Sequence, residues 1–296
     1  MRLALLVPGG SGQLGRDLAA KAGPDVEVLA PSSAELNLTS AGDVLSAVGA
    51  LATRAAASGA FPVVLNAAAY TAVDAAETDE SRAFAVNADG PRVLAAACAS
   101  RRVPLVHVST DYVFPGDSSR PYEVTDPLGP RTAYGRTKAA GEDAVLGSGA
   151  RAWVVRTSWV YGHSGKNFVK TMARLERERD TLSVVDDQIG SPTWSADLAT
   201  GLVELAGSLA QDRGPASPVL HCSGAGEVSW CGFAQAIFAE LGADPGRVRP
   251  CATADYPLPA PRPAYSVLSD AAWRAAGLTP LRHWEDALKA YFAASA

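Results

Sequence analysis

The chain of 296 residues has little cysteine, little net charge and no long apolar run. Its four cysteines, Cys98, Cys222, Cys231 and Cys251, show no CxxC spacing, and His221 beside Cys222 is the only close His/Cys pair. That spacing lacks the convergent ligands of a zinc site, so the cysteines read as reduced thiols in a cytoplasmic protein. A formal net charge of -5 gives no positive field for nucleic acid, which is therefore not expected as a partner. The first apolar stretch, LALLV after Arg2, stops at Pro8 and the glycines behind it. It is far too short for a secretory h-region or a membrane span and reads as a buried strand. What remains, 48% hydrophobic and 19% charged, suits a globular protein with a large core and no membrane partner.

The first half alternates short apolar runs (RLALLV, VEVLA, VVLNAAA, PLVHVST, AWVVRTSWV) with longer helical patterns such as AGDVLSAVGALATRAAA and GPRVLAAACASRR. Strands and helices in that rhythm imply right-handed crossovers and a parallel sheet covered on both faces. The expected fold is α/β, a Rossmann-type doubly wound sheet over residues 1–162. Residues 163–296, where the rhythm loosens around the proline-rich YPLPAPRPAYS, would form mainly a smaller substrate-binding lobe, with some segments returning to the first domain. Ligands in such sheets bind at the carboxyl ends of the strands, so the residues just after each run are the ones to search.

After the first run stands VPGGSGQLGRDL, which reads both as GxGxxG (Gly10, Gly12, Gly15) and as GxxGxxG (Gly9, Gly12, Gly15). Glycines between a strand and a helix permit the tight turn and the close approach of backbone to a pyrophosphate, which then faces the helix N-terminus. A dinucleotide is expected. The second run ends in Ala30, Pro31, Ser32 and Ser33 with no acidic residue to grip a ribose 2′-hydroxyl, and Glu35 lies several residues beyond. The serines suit a 2′-phosphate, although no arginine stands beside them; the reading leans to NADPH and leaves NADH open.

PLVHVSTDYVF closes a strand on Ser109, Thr110, Asp111 and Tyr112, and YGRTK places Tyr134 and Lys138 one helical turn apart on one face. A hydroxyl at a strand end followed by YxxxK resembles the short-chain dehydrogenase/reductases, particularly their extended sugar-nucleotide branch. In that chemistry Lys138 holds positive charge near the phenol and lowers the Tyr134 pKa, Tyr134 is the proton donor, and Thr110 hydrogen-bonds the substrate carbonyl.

Longer strings narrow the resemblance. LNAAAYTAVDAAE, VHVSTDYVFPG, YGRTKAAGE, VVRTSWVYG, NFVKTM, DDQIGSPTW and RPAYSVLSD, in this order across almost the whole chain, resemble the dTDP-4-dehydrorhamnose reductase family. By position the resemblance implies that Gly9, Gly12, Gln13, Leu14 and Gly15 hold the pyrophosphate and that Asn37 and Leu38 flank the adenine. Ala68, Ala69, Tyr70 and Thr71 would run along the cofactor, and Tyr134 and Lys138 would also reach the nicotinamide ribose. Thr110, Asp111 and Tyr112 would face the sugar, Trp159 would cover it or its nucleotide, and Arg262 would meet the diphosphate. Some members bind magnesium at a dimer interface through three acidic residues; here Asp17 fills one position while Ala196 and Ala290 stand at the others. No metal is therefore expected, and the protein would be a monomer or a homodimer without a metal bridge. The implied reaction is reduction of the 4-keto group of a dTDP-4-keto-6-deoxy sugar, giving dTDP-L-rhamnose or a related deoxysugar. The alternative is a catalytically silent NADP-binding regulatory subunit of the same fold.

Overall fold

The computed structural model describes residues 2–294. Five apolar runs become parallel strands: β1 (Leu3–Leu6), β2 (Val26–Leu29), β3 (Phe61–Asn66), β4 (Leu105–Thr110) and β5 (Ala152–Thr157). A sixth, Val219–His221, pairs with β5, so the order across the sheet is β2, β1, β3, β4, β5 and Val219–His221. The order reverses between β1 and β3, and that switch point opens a crevice beyond the strand ends.

Strands in the middle of the sheet are apolar on both faces because both faces are covered. Leu3, Leu5, Val63, Leu65, Val106 and Val155 turn to one face, where α1 (Gln13–Ala19) and the helix Ser195–Ala210 bring Leu14, Leu18, Leu198 and Leu202. Their neighbours Ala4, Leu6, Val64, Leu105 and Val154 turn to the other, against α2 (Ala41–Ser58) and the helix Gly90–Arg101. The period of two in the strands thus sorts each run between two cores.

The segments after Gly162 divide. Ser195–Ala210, Val219–His221 and Trp273 complete the sheet and its first core, whereas the helices Phe168–Glu178, Trp230–Glu240 and Trp284–Ala293 enclose a separate cluster around Phe233, Ile237 and Trp284. Among the described residues no helix is long and apolar enough to cross a membrane.

Candidate active site

The glycine loop and the third strand meet at the switch point. Gly9 has φ 85°, and a Cβ there would stand 2.7 Å from the Ala68 nitrogen; at Gly10 it would fall 2.0 Å from the Ala30 carbonyl oxygen, and at Gly15 2.1 Å from that of Gly9. These three glycines are demanded by packing of the loop against β2, β3 and itself. Gly12 differs: it caps α1 in extended backbone, with only the Gly9 oxygen 3.3 Å from its virtual Cβ. Its free side opens to the crevice.

At the other end of the crevice, β4 finishes on Thr110, and the helix Ala133–Leu146 presents Tyr134 and Lys138. Thr132 caps this helix by accepting from the Gly135 nitrogen at 3.0 Å, and the Glu77 carboxylate takes the free N–H of Ala133 at 2.8 Å. Gly135 lies against the Tyr112 carbonyl, where any Cβ would come within 2.3 Å, so the helix can press close to the strand end. The result is a contact between the Tyr134 phenol and the Thr110 hydroxyl, with the Tyr112 ring edge-on to Tyr134 at 5.5 Å between centroids.

The electrostatics are set chiefly by burial. Tyr134 is pushed up to about 12 by desolvation, eased by the Thr110 hydrogen bond and raised further by Asp111. In the protein by itself burial therefore makes the phenol a weaker acid than usual. The Lys138 ammonium is instead turned to the Val108 carbonyl, 2.7 Å away, and burial holds its pKa down to about 8 against the pull of Glu142. Asp111, wholly buried, is pushed up to about 6 by desolvation, opposed by hydrogen bonds from Ser266 and Thr110. Thr110 Oγ1 donates to Asp111 Oδ1 at 2.9 Å.

One cleft of about 550 Å³ joins the two ends. Its wall includes Gly9, Gly12, Gln13, Leu14 and Gly15, then Asn37 and Leu38, then Ala68, Ala69 and Thr71. Thr110, Asp111, Tyr112, Tyr134, Lys138 and Trp159 line it as well. Two expected residues stand elsewhere. Tyr70 packs against the small cluster of Ala76, Ala83, Ala133 and Tyr134, with its backbone clamped by the Asn87 amide at 2.8 and 3.1 Å. Arg262 forms a two-pronged ion pair with Asp74 at 2.9 and 2.7 Å and lines a separate hollow of about 120 Å³ that shares Tyr112 with the cleft. The guanidinium is satisfied by a carboxylate far off in the chain, a partner that spacing could not reveal.

The cleft fits a dinucleotide by its own features. The glycine cradle leaves backbone bare at one end, while at the other the Ser109 and Thr157 hydroxyls line the cleft, buried and without a hydrogen-bond partner. Sequence reading set Ser109 at the strand end without giving it a role, and missed Thr157 and also Trp230, whose indole stacks on Trp159 at 3.5 Å and 5°. Trp159 takes a left-handed backbone, φ 45°, to reach that position. Trp230 opens a helix whose other apolar residues are core, so its pattern carries no signal of a cleft. Arg16 was also overlooked: its Nε donates to the Ser11 carbonyl at 3.2 Å, setting an exposed cation at the glycine loop. Among the described residues no group of three or more His, Cys, Asp or Glu is placed to hold a metal. The Asp17 carboxylate accepts a hydrogen bond from the Ser195 hydroxyl.

The family model described as RmlD substrate binding domain matches residues 1–296. A dTDP-4-dehydrorhamnose reductase of Mycobacterium tuberculosis is 49% identical, over 99% of this chain and 93% of its own length. A probable dTDP-4,6-dihydroxy-2-methyloxan-3-one 4-ketoreductase of Streptomyces antibioticus is 46% identical, over 97% of this chain and 94% of its own. Among solved structures, the dTDP-4-dehydrorhamnose reductase of Bacillus anthracis in complex with NADP superposes with a TM-score of 0.91 at 34% identity, covering 99% of this chain and all of that one.

Proposed function

Since the chain belongs to the RmlD substrate binding domain family, that of the dTDP-4-dehydrorhamnose reductases, we propose that its cleft reduces a 4-keto sugar nucleotide through Tyr134, Thr110 and Lys138. The protein is an NADPH-dependent sugar-nucleotide ketoreductase. NADPH, when bound, supplies the hydride. The Tyr134 phenol, still protonated at neutral pH, donates its proton to the C4 oxygen as that carbon is reduced, leaving a hydroxyl on the sugar and a tyrosinate on the protein. The Thr110 hydroxyl, which donates to Asp111 in the protein by itself, would turn its one proton to the same oxygen and orient it. Lys138, one turn along the helix, offsets the charge left on Tyr134. Gly9 to Gly15 hold the pyrophosphate, Asn37 and Leu38 the adenine, and Arg16 with the nearby serines the 2′-phosphate. Trp159 on its Trp230 support covers the sugar or its base, and residues 163–296 supply mainly the substrate side. Arg262, held by Asp74, lines the hollow that shares Tyr112 with the cleft, on the side where the substrate's diphosphate would enter.

The observation that carries this reading is the convergence of the glycine cradle and the Thr110, Tyr134 and Lys138 group on one cleft. The test is turnover of purified protein with NADPH on dTDP-4-dehydro-L-rhamnose and other dTDP-4-keto-6-deoxy sugars, reading the product's C4 configuration by NMR. Tight NADPH binding with no turnover on any of them would instead favour a silent binding subunit.

The pH dependence should follow Lys138. Below about 8 the lysine is charged and Tyr134 protonated; above it the ammonium is lost first, because the phenol titrates near 12. The rate should therefore fall as pH rises through about 8. Lys138→Met should be slower at every pH and should lack that limb, leaving only the much higher one of Tyr134. A limb near pH 8 surviving in the Met variant would assign it to another group.

Magnesium should play no part. With Asp17 engaged by Ser195 and alanine at positions 196 and 290, a hard cation would find too few oxygen ligands to displace its water. EDTA is expected to leave both activity and solution mass unchanged. A chelator-sensitive dimer restored by magnesium would show that other acids build the site.

A further inference from the structure

Directly behind Lys138 lies a histidine that the reaction as described does not use. His107 sits in β4, fully buried, three residues before Thr110. Its Nε2 stands 3.3 Å from Lys138 Nζ, and its Nδ1 2.9 Å from Asn66 Nδ2 at the end of β3. Asn66 Oδ1 in turn accepts from the Ala68 nitrogen at 3.2 Å, on the loop that lines the cofactor side of the cleft. The line of groups thus runs from the cleft wall through Asn66 and His107 to the lysine.

The hydrogen-bonding capacity of these groups fixes the protons. The Ala68 N–H needs an acceptor, so the amide oxygen of Asn66 faces it; the reverse orientation would set two N–H groups against each other. The Asn66 NH2 must then donate to His107, which makes Nδ1 the acceptor. A neutral imidazole with an accepting Nδ1 carries its proton on Nε2, and burial together with the lysine keeps His107 neutral, well below its ordinary pKa. The Nε2–H therefore points at Lys138 Nζ. An ammonium has no lone pair to receive it, whereas a neutral amine has one.

Building on the role given to Lys138 above, we propose that His107 is a positioning residue for the reaction: held in its Nε2–H tautomer by Asn66, it sets a fixed donor against Lys138 and favours the lysine's uncharged form. The other charged groups around the lysine act differently. Glu142, on the same helix, favours the ammonium but is itself tied to Arg156 of β5 in a buried pair at 2.7 Å. Tyr134 lies one turn back on the helix, and Asp111 acts on Tyr134 from beyond the strand end. Burial does most to bring the charged and uncharged lysine close in free energy, and the fixed His107 donor adds to it. His107 thereby helps set the pH at which the ammonium that offsets the Tyr134 charge is lost, and with it the alkaline limit of the reaction.

The tautomer can be read without any variant. In protein labelled with 15N-histidine, His107 should show a protonated Nε2 and an accepting Nδ1 throughout the neutral range; the opposite tautomer, with Nε2 accepting from the lysine, overturns the proposal. The second arm labels lysine Cε with 13C and follows its titration by NMR, using Lys138→Met to assign the signal among Lys21, Lys166, Lys170 and Lys289. His107→Leu removes the N–H and should raise the Lys138 pKa by about one unit, whereas His107→Gln, whose amide can present an N–H, should restore much of the depression. The alkaline limb of the rate should move with the NMR value. An unshifted Lys138 titration in a folded His107→Leu protein, or a uniform loss of rate with the limb in place, would reduce His107 to core packing. Because the NMR arms need no substrate, they stand or fall separately from the ketoreductase reading.

Discussion

Tyr134→Phe should lower kcat by about a hundredfold or more while leaving the affinity for NADPH nearly unchanged, since only the proton donor is lost. The ring itself is structural. It packs among Ala76, Ala83 and Ala133 and meets the edge of Tyr112, contacts that a phenylalanine keeps. Thr110 cannot replace it at neutral pH: it is already donating to Asp111, and a hydroxyl of ordinary acidity is a poor proton source for a developing alkoxide. Stopped-flow absorbance of NADPH in a single turnover separates the chemical step from product release, and a fluorescence titration gives the cofactor affinity. A Phe variant that turns over at near the parent rate would remove Tyr134 from the mechanism. Asp111 provides a useful contrast. Its pKa of about 6 means that mild acid makes it a neutral donor to its surroundings, so a dependence of rate on pH between 5 and 7 surviving in Tyr134→Phe would point to Asp111.

Much of this arrangement is visible in the sequence because it is local. Five of the six strands of the sheet are short apolar runs, and the cleft lies where the runs end, so Gly9, Thr110 and Ala68 could be found by position along the chain. Tyr134 and Lys138 are one turn apart, and any helix would bring them side by side. What escaped sequence reading depends on distant partners. Arg262 offers a guanidinium to any anion until Asp74, 188 residues away, is seen to occupy it. The pairing of Glu142 with Arg156 joins the catalytic helix to β5 in the interior, where only folding brings the charges together. His107 looks like an inward residue of a strand, and its connection to Lys138 and Asn66 crosses three elements. The burial of the Tyr134 phenol was also beyond reach, because desolvation depends on what surrounds the phenol and not on the residue four places along.

Gly12→Val is the sharpest test of the cofactor end, and it is expected to separate binding from folding. At Gly10 and Gly15 any side chain would meet a carbonyl oxygen at 2.0 and 2.1 Å, so substitutions there should damage the fold and say little about the ligand. Gly12 has an ordinary φ of -74°, and its virtual Cβ meets only the Gly9 oxygen at 3.3 Å, a contact relieved by a small shift. The structural cost should be no more than about 1 kcal/mol, mostly from a poorer N-cap residue on α1. The branched side chain would nevertheless stand over the N-terminus of that helix, where the backbone amides must come close to the pyrophosphate. The dissociation constant for NADPH should therefore rise at least about tenfold, with the melting temperature of the free protein shifted by only a few degrees. Calorimetric titration and thermal unfolding on the same preparation decide it. Unchanged NADPH affinity in a folded Gly12→Val protein would mean that the phosphates lie elsewhere in the cleft, and the roles given to Gln13, Leu14 and Arg16 would move with them.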